Sequence, residues 1–366
     1  MKIRITIKSL IIILSIGGIA SAGPYNESGI ASYIDQNYRP TMPSDSNGIL
    51  NPIFSGWATG VASYEPTPPD SQRQLWWFDP SMALGPSMSN RAPKDLLYNI
   101  VSLGDLKQNQ INAGVPPGKI TLSFEDPIYN GKGYDFAVFE NAQRWGNLYF
   151  CELAYVEVSS DGEAFARFPS VSLSPYDSGG PIIPNYRCID ITDVYNLAGK
   201  HPNLGDANEF TGTPFDLSEL ENEPNVQNGS VDLNDISYVR IVDIPGSGDF
   251  YDEGQKFIDP CTWPNWFYYN ANHPIYDAWP TYGSDGMDLE AIGVLYPQEC
   301  GGDINLNGIV DYEDLEIFAQ GWLSHFGQKN YLSRCDLAQP KDLIVNFRDF
   351  AVFAQGWMKT EQWRSR

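Results

Sequence analysis

Polar and apolar residues alternate with a period of two through the middle of the chain and with a helical period at its end. Ile120-Thr121-Leu122-Ser123-Phe124 alternates; residues 134–139 follow an Asn130-Gly131 turn, and residues 153–159 alternate again. A period of two sends one face to a core and the other to solvent, which predicts strands. Ser160-Asp161-Gly162 then turns the chain into residues 164–168, and Asp-Gly supplies the positive φ that a tight hairpin needs. Residues 188–191, 238–242 and 291–295 are further strand candidates. Residues 24–115 carry only short apolar pieces such as 60–64, and 196–235 reads as a long excursion with a solvated acidic run at 219–223. Short strands, 33 Gly and 27 Pro predict a mainly β body, a jelly-roll β-sandwich over residues 23–297.

The pattern becomes helical beyond Pro297 to Gly302, which sets the boundary of a second unit over residues 298–366. Asp303, Asn305, Asn307, Asp311 and Asp314 stand at positions one, three, five, nine and twelve of a loop with Gly308 at position six. Calcium takes six to eight oxygens, and the Gly permits the sharp turn that aims them inward; Ile309 adds its carbonyl. A helix is expected over 312–322. Phe318-Ala319-Gln320-Gly321-Trp322 recurs as Phe353-Ala354-Gln355-Gly356-Trp357, and Asp314 to Asp349 and Cys300 to Cys335 share the same offset of 35 (349−314, 335−300). Two loop–helix units of one period are an internal duplication whose apolar faces bury one another. In the second loop Asp336, Asn346 and Asp349 fit the first, ninth and twelfth positions, but the loop is two residues too long and lacks the Gly. Either Asp342 substitutes as a ligand there, or the loop keeps its shape without metal. Cys300 and Cys335 flank equivalent positions and are expected to form a disulfide, leaving one of Cys151, Cys188 and Cys261 free or bonded outside the chain.

These residues resemble a type I dockerin, in the divergent form found on secreted proteins of planctomycete-like bacteria, over about residues 300–358. The resemblance implies a small all-α module with two EF-hand-like units, Ca2+ as cofactor, and a cohesin-like or other cell-surface protein as partner. Dockerins commonly meet cohesins through small hydroxyl residues at loop positions ten and eleven. Tyr312-Glu313 and Phe347-Arg348 stand there instead, so the implied partner is of another specificity.

In the body, Trp77 to Gly85, the Val156-to-Phe165 hairpin, Tyr238-Val239-Arg240-Ile241 and the closing Asp288 to Val294 segment resemble the galactose-binding-like jelly roll of the discoidin type. The same stretch is similar to an uncharacterised bacterial cell-surface family carrying "DFAVFEN", "NLAGKH", "GTPFDL" and "RIVD", here from Asp135, Asn196, Gly212 and Arg240. That similarity implies fold and location and no activity.

Three sets of body residues are site candidates. Asp135, Glu140, Asp288 and Glu290 could hold a second calcium. Asp288 and Glu290 share one face of a strand; either that face is interior and a cation or Arg144 or Arg240 answers them, or they are a solvent-facing edge pair. Trp263, Trp266, Tyr268 and Trp279 lead an aromatic insert that either stacks on sugar rings or packs on the sandwich, as do Trp76-Trp77-Phe78. Asp135 and Glu140 also offer paired carboxylates for glycoside hydrolysis. The chain shows no Ser-His-Asp order, zinc cluster or phosphate loop.

Composition narrows the location. Lys2, Arg4 and Lys8, the short apolar run 10–16 and Ala20-Ser21-Ala22 read as a signal peptide over 1–22, with no later membrane span. A net charge of −23 excludes nucleic acid as a partner and suits a hard cation. The expectation is a secreted or cell-surface calcium-binding modular protein, a carbohydrate- or surface-binding domain docked through its tail. A secreted glycoside hydrolase or accessory of polysaccharide degradation is the alternative, and a structural envelope protein the second.

Overall fold

The computed structural model describes residues 25–42, 47–67, 77–87, 99–174, 187–201, 203, 210–253, 272–281, 283–296, 301–325, 328, 330–338, 342 and 344–361. The signal segment, Trp76, Cys261, Trp263, Trp266, Tyr268 and Cys300 lie outside the described residues.

Two larger antiparallel sheets make the core of the body, beside three two-stranded ones among the described residues. The first runs Ile30–Ala31, Thr211–Phe215, Phe136–Glu140, Asp288–Leu295, Phe54–Trp57, with Val101–Ser102 also paired to Asp288–Leu295. The second runs Ala166–Arg167, Ala154–Ser159, Ile236–Asp243, Lys119–Ile128, Gly60–Glu65. Phe136, Val138, Phe215, Leu289 and Ile292 of the first share one apolar cluster with Ile120, Leu122, Val156, Val158, Val239 and Ile241 of the second. Ala137 and Phe139 point the other way, into a separate cluster with Phe54 and Ala291. The Phe136–Glu140 strand is therefore covered on both faces, which is why its sequence is a continuous apolar run rather than an alternation.

The Asp-Gly hairpin forms. Gly162 takes φ +81°, and Asp161 Oδ1 accepts the N–H of Glu163 (2.8 Å) and Ala164 (2.9 Å), so Glu157 stands opposite Arg167. Two expectations need correction. Residues 188–191 are no strand: Ile189 makes a lone bridge to Tyr149, and Asp190 caps a 3-10 turn at Ile191–Asp193 by accepting from Thr192 N at 2.9 Å. An Asp cap offers the backbone a turn in place of a ladder. The excursion 196–235 contains Thr211–Phe215, an inner strand of the first sheet whose Pro214 disguises it. Within the supposedly strand-poor N-terminal stretch, Phe54–Trp57 and Gly60–Glu65 close one edge of each sheet.

Lys200 ties the N-terminal segment down. Its Nζ donates to Tyr25 O (2.9 Å) and Val194 O (2.5 Å) and pairs with the Glu27 carboxylate. Gly199 before it takes φ +85°, and a Cβ there would collide with the Glu152 carbonyl.

The tail carries two helices, Tyr312–Gly321 and Phe347–Gly356. Asp311 with Asp314, and Asn346 with Asp349, form the same capping box at each start. Phe318 stacks on Phe353 at 5.4 Å, while Tyr312 meets Trp357 edge-on (5.1 Å) as Phe347 meets Trp322 (5.0 Å). Backbone bonds repeat the symmetry: Met358 N donates to Val310 O (2.8 Å) and Leu323 N to Val345 O (2.9 Å). The sequence boundary is not a boundary of packing, because Tyr25 and Val171 join the tail's apolar cluster and Asn26 Nδ2 donates to Tyr331 O at 3.0 Å.

Candidate metal centre

In the first loop the backbone wraps around two buried carboxylates. Asp303 accepts from Asn307 N (3.1 Å) and Gly308 N (2.8 Å), and Gly308 takes φ +84°, which makes that approach available. Asp314 Oδ1 accepts from Ile304 N (2.8 Å) and Asn305 N (3.0 Å), and its Oδ2 from Asp311 N (2.9 Å). The amide nitrogens of Asn305 and Asn307 turn toward Glu313 (3.4 Å each), while their oxygens face back into the loop, accepting from Asn307 N and Ile309 N. Burial pushes the Asp303 carboxyl up to about 8, and the facing Asp314 adds to it; burial raises Asp314 as well. Two like charges held together out of water, with oxygen donors around them, fit a hard divalent cation.

The second loop brings Asp336, Asp342 and Asp349 together, with one oxygen of each within 4.8 Å of the others. Asp349 is held as Asp314 is, accepting from Ala338 N (2.9 Å) and Asn346 N (2.8 Å). Two further groups act here: Tyr331, not singled out in the sequence, donates to Asp336 (3.2 Å), and Arg348, read there only as a partner-specificity position, pairs with Asp342 at 2.7 Å. Arg348 therefore competes with a cation for that ligand. Its position eleven places it one residue beyond the helix start, a signal legible from the repeat offset.

Cys335 carries a free, buried thiol, so the expected bridge to Cys300 is corrected. Its Sγ lies 3.8 Å from Ile317 O inside the helix pair, and burial pushes the thiol up to about 12. Cys151 and Cys188 are also free and buried.

The body candidates separate. Asp135 is structural: its oxygens accept from Gly131 N and Leu217 N, both at 2.7 Å. Glu140 is 1% exposed, so the pair cannot flank a sugar in solvent. Asp288 and Glu290 are 2% and 1% exposed, which removes the solvent-facing reading. Neither candidate Arg answers them: Arg240 pairs with Glu157 (3.3 Å), and Arg144 Nε donates to Gly146 O (2.8 Å). Glu290 instead meets Ser87 (2.8 Å) and Asn203. Trp279 Nε1 donates inward to Leu106 O at 2.8 Å, as a packed ring does.

No family model matches the chain, and no curated protein matches it.

Proposed function

We propose that the chain is a secreted, surface-associated protein whose β body, a jelly roll of the galactose-binding kind, is docked to a cell-surface protein through a calcium-dependent, dockerin-like tail. The observation that carries this is the doubled arrangement of the tail. Each unit turns its carboxylates inward and its aromatic start outward: Tyr312 and Phe347, one repeat apart, are both 74% exposed. Leu323 and Met358, also one repeat apart, are exposed as well. Large apolar side chains kept in solvent at matched positions form a recognition surface rather than a core. The cations set the loops, and the loops set the spacing of that surface. The body is the cargo, and the aromatic insert around Trp263, Trp266 and Tyr268 is its sugar-contacting candidate, checked on a glycan array.

Calcium added to metal-free protein is expected to raise the thermal midpoint of the tail, equivalent to about 2.7 kcal/mol at a hundredfold excess over the dissociation constant. Far-UV dichroism and calorimetry read it, and Asp303→Ala with Asp314→Ala abolishes the first-loop share. An unchanged calcium response in that double variant sinks the assignment.

Docking is separable from metal. Tyr312→Ser with Phe347→Ser is expected to keep the calcium response and lower retention on cell envelopes of the producing cells by at least about tenfold, as loss of aromatic anchors does. Equal retention of native and variant protein would remove these rings from the interface.

A further inference from the structure

A second set of acidic side chains lies outside the tail loops, where elements of the two sheets of the body come together. Glu140 ends its strand, Asp288 begins the antiparallel partner, and Glu152 stands just before Ala154–Ser159. Asp243 closes Ile236–Asp243, and Asp277 lies in the neighbouring loop. Glu140, Glu152 and Asp288 are 1%, 3% and 2% exposed. Arg187 acts on Asp277, but burying Glu140, Glu152 and Asp288 with no basic group among their principal influences is a costly arrangement.

How each carboxyl is held distinguishes this set from an ordinary buried acid. Asp135 has both oxygens bonded to backbone N–H groups. Asp288 receives Asn141 Nδ2 on Oδ2 (3.4 Å), while its Oδ1 has no hydrogen-bond partner. Thr281 holds the Glu152 carboxylate, and Oε1 is left without a partner. Glu140 has none on either oxygen; the Ala142 N–H lies near without forming a hydrogen bond. Asp243 and Asp277 repeat the pattern, each with one oxygen on a backbone N–H (Met287 at 2.8 Å, Leu153 at 2.7 Å) and the other unpaired. One oxygen anchored and one presented is the way a protein orients metal ligands through their neighbours.

The presented groups feel one another. Burial, then Asp288 and Glu290, raise Glu140; burial, then Asp288 and Glu140, raise Glu152. No basic side chain is among the principal influences on Glu140, Glu152 or Asp288. Among the described residues only the tail triad has three acidic groups within 4.8 Å of one another, so Glu140, Glu152 and Asp288 stand farther apart than that. All the donors are hard oxygens, which suits calcium or its class over zinc or copper.

We propose that Glu140, Glu152 and Asp288 hold a divalent cation in the body, independently of the tail loops, with Asp243 and Asp277 deepening the negative field beside it. Such an ion would clamp loops from both sheets that no disulfide among the described residues secures.

The test counts calcium per full chain after equilibrium dialysis. A tail variant carrying Asp303→Ala, Asp314→Ala, Asp336→Ala and Asp349→Ala is expected to keep one ion. Adding Glu140→Gln and Asp288→Asn weakens that ion's binding by about tenfold or more. A tail variant that binds no calcium overturns the proposal while leaving the docking reading intact, and a tail variant that binds as many ions as the native chain does the reverse. A second measurement covers misfolding of the multiple variant. Glu140→Gln in the otherwise native chain is expected to shrink the calcium-induced rise in thermal midpoint; an unchanged rise with unchanged ion count means the carboxyls are merely protonated, and the site does not exist.

Discussion

Lys200→Met is expected to destabilise the chain by about 3–5 kcal/mol, because it strands Glu27 without a counter-charge inside the protein. The ammonium is 1% exposed and touches three acceptors, Tyr25 O, Val194 O and the Glu27 carboxylate, which lie 175, 6 and 173 residues away. Burial lowers the lysine's pKa, and Glu27 opposes that shift, so the pair depends on each partner being present. The loss reaches beyond one ion pair. Tyr25 stacks on Tyr195 at 5.0 Å and belongs to the tail's apolar cluster, so freeing the N-terminal segment loosens the contact between tail and body. Urea denaturation of Lys200→Met beside Lys200→Met with Glu27→Gln is the check. The double variant recovers part of the deficit, since a neutral amide is cheaper to bury than a lone charge; a single variant within about 0.5 kcal/mol of native stability contradicts the argument.

Metal-free protein is expected to lose stability as pH rises from about 4 to about 7, the reverse of an ordinary acid-sensitive fold. The sign follows from Asp135, whose carboxyl is pushed up from 3.8 to about 7 by burial, against the Gly131 and Leu217 N–H groups. A folded-state pKa above the unfolded one means that the native chain binds the extra proton, so stability is full below the unfolded value and drains away up to the folded one. Each such group contributes on the order of 1.4 kcal/mol per pH unit. Glu290, held up to about 8 by burial, extends the decline past neutrality, and the net charge of −23 adds repulsion in the same direction. Denaturant midpoints at acid and neutral pH read the slope. A rising midpoint between those values in cation-free buffer would show the carboxyls to be ordinary, and calcium is expected to flatten the decline by answering the acidic groups.

Much of the architecture could be read from local pattern. Residues 119–124, 153–159 and 238–242 were legible as strands and all contribute to strands of one sheet, although Ala154–Ser159 is buried on both faces rather than on one. The Asp-Gly turn and the loop–helix duplication were equally plain, since a positive φ, a capping box and an offset of 35 are decided by neighbours in the chain. Thr211–Phe215 was not plain. Its Pro214 and short length argue against an inner strand, and only pairing with Phe136–Glu140 makes it one.

The candidate sites divide in the same way. The sequence by itself determined the first tail loop, because its candidate oxygens fall within twelve residues and Gly308 supplies the turn between them. Only the tertiary structure decided which body carboxylates keep an oxygen without a hydrogen-bond partner. Glu140, Glu152 and Asp288 come from different strands and loops, and the cost of burying a charge depends on what long-range folding places around it rather than on the residues beside it in the chain.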